Sequence, residues 1–132
     1  MENTIINKSI KKDHVILIVE DEITNFLYLE ELLNGLKVKI LHAKNGKEAQ
    51  QLFEENEIDL VLMDIKLPDT DGLKLTQEFK QKSPNIPIIA QTAYAMEGDR
   101  QKALNAGCND YISKPINYDS FQLTIGKFIN IN

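Results

Sequence analysis

Val15-Ile16-Leu17-Ile18-Val19 runs directly into Glu20-Asp21. An unbroken apolar, largely β-branched run has no polar face to show to water, so it reads as a strand buried on both sides. Such strands belong to the middle of a parallel sheet covered by helices on both faces. The run ends in two carboxylates, Glu20 and Asp21.

The same grammar extends downstream. Ile23, Phe26, Leu27, Leu29, Leu32 and Leu33 recur at helical spacing and predict one apolar stripe, with Gly35 as a stop. Val38 to Ala43 alternates, with Val38, Ile40 and His42 on one side and Lys39, Leu41 and Ala43 on the other, as an outer strand does. Asn45-Gly46 forms a turn, and Asn45 can cap a helix whose inner face is Ala49, Leu52 and Phe53. Leu60-Val61-Leu62-Met63 is a second buried strand, ending at Asp64.

Asp71 is an N-cap candidate for a third helix carrying Leu75 and Phe79. Pro87 to Thr92 reads as the next strand. Ala103, Leu104 and Ala106 mark a fourth helix closed by Gly107. Tyr111-Ile112-Ser113 is a short last strand, and Phe121, Ile125, Phe128 and Ile129 line a final helix. Strict β/α alternation predicts an α/β fold, a doubly wound (βα)5 unit of the flavodoxin-like kind. Its five-stranded parallel sheet should have the order 2-1-3-4-5.

That topology brings the strand ends to one rim. Glu20 and Asp21, Asp64, Gln91-Thr92 and Ser113-Lys114-Pro115 should meet there, beside the switch point where α/β folds bind ligands. Crowded carboxylates repel, and a cation relieves the repulsion. Oxygen-only ligands suit a hard ion, Mg2+ above all, with Mn2+ able to substitute. A carboxylate beside such an ion can attack a phosphoryl group and form an aspartyl-phosphate. The ion and Lys114 would each hold one phosphoryl oxygen, and Thr92 could hydrogen-bond a third. Taken singly, each of these residues is as well explained as a cap or a solvated side chain; their joint placement carries the reading.

The chain has 132 residues, 42% hydrophobic and 27% charged, with net charge −5. One domain is expected over 14 to 132, behind a polar, aperiodic leader or linker at 1 to 13. The acidic balance speaks against a direct nucleic-acid surface. The single cysteine, Cys108, forms no internal disulfide and fits a reducing compartment. No apolar run approaches the roughly 18 residues of a membrane span. A cytoplasmic protein without membrane contact is expected.

With these residues in hand, the chain resembles the CheY-like receiver domains of two-component response regulators. The resemblance covers nearly all of Val15 to Phe128. It is carried by Ile18-Val19-Glu20-Asp21-Glu22, by Leu62-Met63-Asp64-Ile65-Lys66-Leu67-Pro68-Asp69-Thr70-Asp71-Gly72, by Thr92-Ala93, and by Asp110-Tyr111-Ile112-Ser113-Lys114-Pro115-Ile116. It implies that Asp64 is the phospho-acceptor and that Glu20, Asp21, Asp64 and the Lys66 carbonyl bind Mg2+. It also implies that Thr92 and Lys114 contact the phosphoryl group and that Lys114-Pro115 is cis.

The resemblance further makes Thr92 and Tyr111 the switch pair, and Lys66 and Tyr94 the tuners of dephosphorylation rate. Activity would be limited to self-phosphorylation from phosphohistidine and slow autodephosphorylation, so the chain is not expected to be a turnover enzyme. The donor would be a histidine kinase or histidine-phosphotransfer domain. The switched face, made of the fourth helix, last strand and last helix, would meet an effector or a second copy. Thr92-Ala93-Tyr94-Ala95-Met96, Gly98-Asp99-Arg100 and Ala106-Gly107-Cys108 look especially like receivers of hybrid sensor kinases, in which case the leader is a linker. After Asn117 one helix and no output domain are expected.

Two departures from the family pattern stand out. The acidic pair is Glu-Asp instead of Asp-Asp, and Thr70 replaces a commonly apolar residue and is expected to loosen its loop. Three other readings remain open. An aspartate-nucleophile phosphatase of the haloacid-dehalogenase type would need an acid where Lys66 stands. A flavodoxin-like FMN carrier would need a Ser/Thr/Gly loop where Asp21-Glu22-Ile23-Thr24-Asn25 stands. A receiver that signals by docking alone would not need Asp64, Thr92 and Lys114.

Overall fold

The computed structural model of the chain describes residues 13–93 and 96–130. β1 (His14–Val19) leads to α1 (Ile23–Leu32), β2 (Val38–Ala43), α2 (Gly46–Glu55) and β3 (Leu60–Asp64). Then follow α3 (Gly72–Lys82), β4 (Ile88–Thr92), α4 (Asp99–Ala106), β5 (Asp110–Ser113) and α5 (Tyr118–Gly126). The sheet has five strands in the order β2-β1-β3-β4-β5. Every neighbouring pair is parallel, as the alternation required. The leader assigned to 1–13 lies outside the described residues except for Asp13, and so does Tyr94.

The alternation of side chains along β1 sorts the core into two layers. Ile16 and Ile18 point to the side of Phe26, Leu29, Phe121 and Ile125, so α1 and α5 share that face. Leu17 and Val19 point to the side of Ala49, Leu75, Phe79 and Ala103, which α2, α3 and α4 cover. β3 and β4 are buried at every position. This double coverage is why their sequences show no polar alternation.

Local chemistry ends the helices where it should. Asn45 Oδ1 accepts from Glu48 N at 2.8 Å, and Asp71 Oδ1 accepts from Leu73 N at 2.8 Å. Each satisfies an amide that helical geometry leaves without a partner. Gly107 closes α4 at φ +111°, a left-handed conformation costly for other residues.

Two positions of α1 depart from the expected stripe. Ile23 and Leu27 are exposed on α1, while Phe26, Leu29, Leu32 and Leu33 are buried. Leu27 turns about 100° beyond Phe26 and so leaves the sheet. On α4 the small Ala103 packs inward and Leu104 faces out. A short helix lying close on a sheet buries a narrower arc than a count of apolar residues suggests. Among the described residues no helix is long and apolar enough to cross a membrane.

Candidate functional site

The carboxyl ends of β1 and β3 adjoin because these strands are neighbours, with Val19 registered against Met63. Glu20 continues the β1 ladder, its amide donating to the Ala43 carbonyl at 2.9 Å, and it has no exposed surface. Asp21 is exposed, and Asp64 is 6% exposed. One carboxylate oxygen from each of Glu20, Asp21 and Asp64 lies within 4.8 Å of the others. β4 and β5 bring the remaining groups. Thr92 is buried and registers with Ser113, and its carbonyl accepts from the Lys114 amide at 2.8 Å. The Lys114-Pro115 peptide is cis, as the resemblance implied. Lys114 Nζ lies 2.9 Å from Glu20 Oε1 and 3.9 Å from Asp64 Oδ2.

The electrostatics follow from this crowding. Asp64 is raised from 3.8 to about 7, first by burial and then by a hydrogen bond to, and repulsion from, the Glu20 carboxylate. The Lys114 ammonium and the Lys66 amide, which donates to Asp64 Oδ1 at 3.1 Å, pull in the other direction without cancelling the rise. A single lysine therefore does not neutralise the cluster. The donor set is three carboxylates with converging oxygens and no sulfur or imidazole, which fits a hard divalent ion that keeps part of its water shell.

Tyr111 packs on the side covered by α2, α3 and α4, the face that Ala90 and Thr92 of β4 share, with its hydroxyl oxygen buried and without a hydrogen-bond partner among the described residues. Burial and the nearby Asp99 raise its pKa. Lys66 is exposed at the rim, with its backbone amide turned to Asp64. The structure thus brings the carboxylates of Glu20, Asp21 and Asp64 and the ammonium of Lys114 together, with Thr92 at the adjoining end of β4.

The β3–α3 loop holds the pocket through contacts that the sequence did not disclose. A Cβ on Gly72 would collide with the Asp64 carbonyl oxygen, and the Gly72 amide donates to the Ile65 carbonyl at 2.7 Å. Glycine is required there because the helix starts against the acceptor's own backbone. The Thr70 methyl occupies the space a Cβ on Gly46 would need. Asp69 accepts from the amides of Gly46 at 2.8 Å and Lys47 at 3.1 Å, and these bonds hold its carboxyl below the usual carboxylate range. An acid facing a helix start twenty-odd residues away carries no local sequence signal.

Comparison with known proteins agrees with this geometry. The family model described as response regulator receiver domain matches residues 16–125. The polar-differentiation response regulator DivK of Brucella anthropi is 39% identical over 116 residues, covering 86% of this chain and 94% of DivK. Among solved structures, the receiver domain of the sensor histidine kinase PA1611 from Pseudomonas aeruginosa superposes with TM-score 0.79 at 35% identity. That match covers 87% of this chain and 96% of the other, whose active-site cleft coordinates a magnesium ion. A putative response regulator from Chloroflexus aurantiacus superposes with TM-score 0.84 at 30% identity, covering 89% and 98%. With its acid rim, its strand order and a family match across nearly the whole fold, the chain belongs to the response regulator receiver domains of two-component systems.

Proposed function

We propose that the chain accepts a phosphoryl group on Asp64 in a Mg2+-dependent reaction and thereby switches the face formed by α4, β5 and α5. The observation that carries this reading is the convergence of Glu20, Asp21 and Asp64 oxygens with Lys114 Nζ beside them. Glu20, Asp21, Asp64 and the Lys66 carbonyl would hold the ion. Bound there, Mg2+ supplies charge neutralisation for the carboxylates and for the phosphoryl oxygens.

The chain's own residues do the rest. An Asp64 carboxylate oxygen attacks phosphorus in line, the bond from phosphorus to the donor's imidazole nitrogen breaks, and that nitrogen keeps the electron pair. Lys114 offsets the charge on one equatorial oxygen and the Thr92 hydroxyl donates to another. The donor is a histidine kinase or histidine-phosphotransfer domain in the cytoplasm. No catalytic turnover of soluble substrates is involved, and Lys66 and Tyr94 set how fast water removes the group. The reading is supported by the similarity to DivK, a response regulator by name, and to a receiver whose cleft holds magnesium.

The new dianion would draw Thr92 inward, and the Tyr111 ring, next to it across β4 and β5, would follow. Ligation selects between two packings instead of building a new one. The phosphatase reading loses support because Lys66 stands where a second acid is needed.

Acetyl phosphate with Mg2+ tests the proposal by intact-protein mass spectrometry. One added phosphoryl group is expected on the wild type and none on Asp64→Asn. Labelling that survives in Asp64→Asn overturns the assignment.

A further inference from the structure

His42 sits near the end of β2, the edge strand, half-buried and on the same side as Val38 and Ile40. The structure gives its ring two partners. One is Phe26 of α1, on which it stacks with ring centroids 3.7 Å apart and planes 6° from parallel. The other is the backbone carbonyl oxygen of Glu20, 2.8 Å from Nε2. A carbonyl only accepts, so Nε2 carries the hydrogen and donates it.

That bond falls where the sheet runs out of backbone. Glu20 N still donates to the Ala43 carbonyl at 2.9 Å, and in a parallel ladder the carbonyl of such a residue turns toward the same neighbouring strand. β2 ends at Ala43, however, and the chain turns there into the Asn45 cap of α2. The His42 side chain supplies the donor that a longer β2 would have offered. The residue it holds carries the fully buried carboxylate that faces Lys114, and Asp21 follows directly. Between Glu20 and Phe26 lie only the acid bend and the first turn of α1. His42 grips that segment at both ends, by a hydrogen bond at Glu20 and by ring contact at Phe26.

We propose that His42 is a positioning residue for the divalent ion: by donating to the Glu20 carbonyl it fixes the bend that aims the Glu20 and Asp21 carboxylates at Asp64. This rests on the acid rim being the Mg2+ site. The three carboxylates repel one another, and the bend between β1 and α1 can open to relieve the repulsion unless something holds it. A hydrogen bond to the backbone beside the ligands resists that opening, so the ion meets its ligands already converged. Groups that act on a metal through its ligands change affinity by about 10–100-fold when they are replaced. The ring stack serves a different end, since it joins β2 to α1 whether or not an ion is bound. The two contacts thus make separable contributions, one to ion affinity and one to stability.

Two substitutions in the full chain separate them. His42→Phe keeps a flat ring against Phe26 and loses the donor, whereas His42→Gln loses the ring and keeps an N–H of similar reach. Titration calorimetry with Mg2+ should show the dissociation constant raised about tenfold in His42→Phe and within about twofold of the wild type in His42→Gln. Melting temperatures should rank the other way, with His42→Phe the more stable variant. His42→Phe binding Mg2+ as tightly as the wild type overturns the proposal, and so does a loss of affinity that follows melting temperature in both variants. Long-range ¹H–¹⁵N spectra of the wild-type ring need no variant. Hydrogen on Nε2 is expected there, and a neutral ring carrying it on Nδ1 instead overturns the donor assignment and the proposal with it. A wild type that binds no Mg2+ removes the ion-site reading beneath the proposal, a failure distinct from that of the variants.

Discussion

Lys114 Nζ sits 2.9 Å from Oε1 of Glu20, a carboxylate with no exposed surface, and 3.9 Å from the acceptor Asp64. The lysine therefore leans on the buried acid first and on the acceptor second. In this arrangement its charge compensates Glu20, and a phosphoryl oxygen would have to compete with Glu20 for it.

Removing that lysine should expose the cost of the cluster. Lys114→Met leaves the buried Glu20 without its cation, and breaking a buried ion pair from one side typically costs about 3–5 kcal/mol. Urea unfolding should show a loss of that order without Mg2+ and a partial recovery with it. An undiminished midpoint would mean that Lys114 does not neutralise Glu20.

The raised Asp64 pKa gives stability a definite pH dependence. The folded state binds this proton more tightly, about 7 against 3.8. The contribution is thus fully present below 3.8 and is lost as pH rises through about 7. Without metal, Asp64→Asn should gain on the wild type by roughly 2–4 kcal/mol between pH 4 and pH 8. Denaturation of both proteins at the two pH values measures the difference. A constant gap would remove the shift.

Metal binding inherits the same proton. Mg2+ needs the carboxylate, so its affinity should climb with pH, up to about tenfold per unit, and level off above about 7. Titration calorimetry across that range, in two buffers of different ionisation enthalpy, should also detect proton release. A flat affinity profile contradicts it.

Gly72→Ala forces a methyl into the Asp64 carbonyl. Because the obstacle is backbone, the loop or α3 must shift, at about 1–3 kcal/mol as for other overpacked sites. Mg2+ affinity should fall together with thermal stability. An unchanged melting temperature would show that the loop relaxes freely.

Asp69→Ala removes an acceptor from two amides at the start of α2. Loss of a helix cap costs about 0.5–2 kcal/mol. Asp69 titrates below its ordinary value, so its stabilisation persists above that value and fades as pH falls through the folded pKa. The wild type and the variant should therefore converge in acid, as urea midpoints would reveal.

Legibility from sequence followed the physics of each feature. The buried strands, their order and the convergence of three carboxylates with Lys114 could be read because each is set by a local pattern or a chain-wide rule of connection. Ile23 and Leu27 were misplaced because hydrophobicity alone does not tell how wide an arc a sheet covers. Asp69, Gly72 and the bond from His42 to Glu20 stayed hidden because their meaning lies in atoms that meet across the fold. Glycine in Asp71-Gly72 reads as a turn, whereas the collision it avoids exists only once α3 docks on β3.

All five strands run the same way, and His14 begins β1 at the end opposite Glu20. A polypeptide joined ahead of His14 is consequently leashed about 20 Å from the acid rim, the length of a six-residue strand. The chain therefore enters the sheet at one pole and presents its carboxylates at the other.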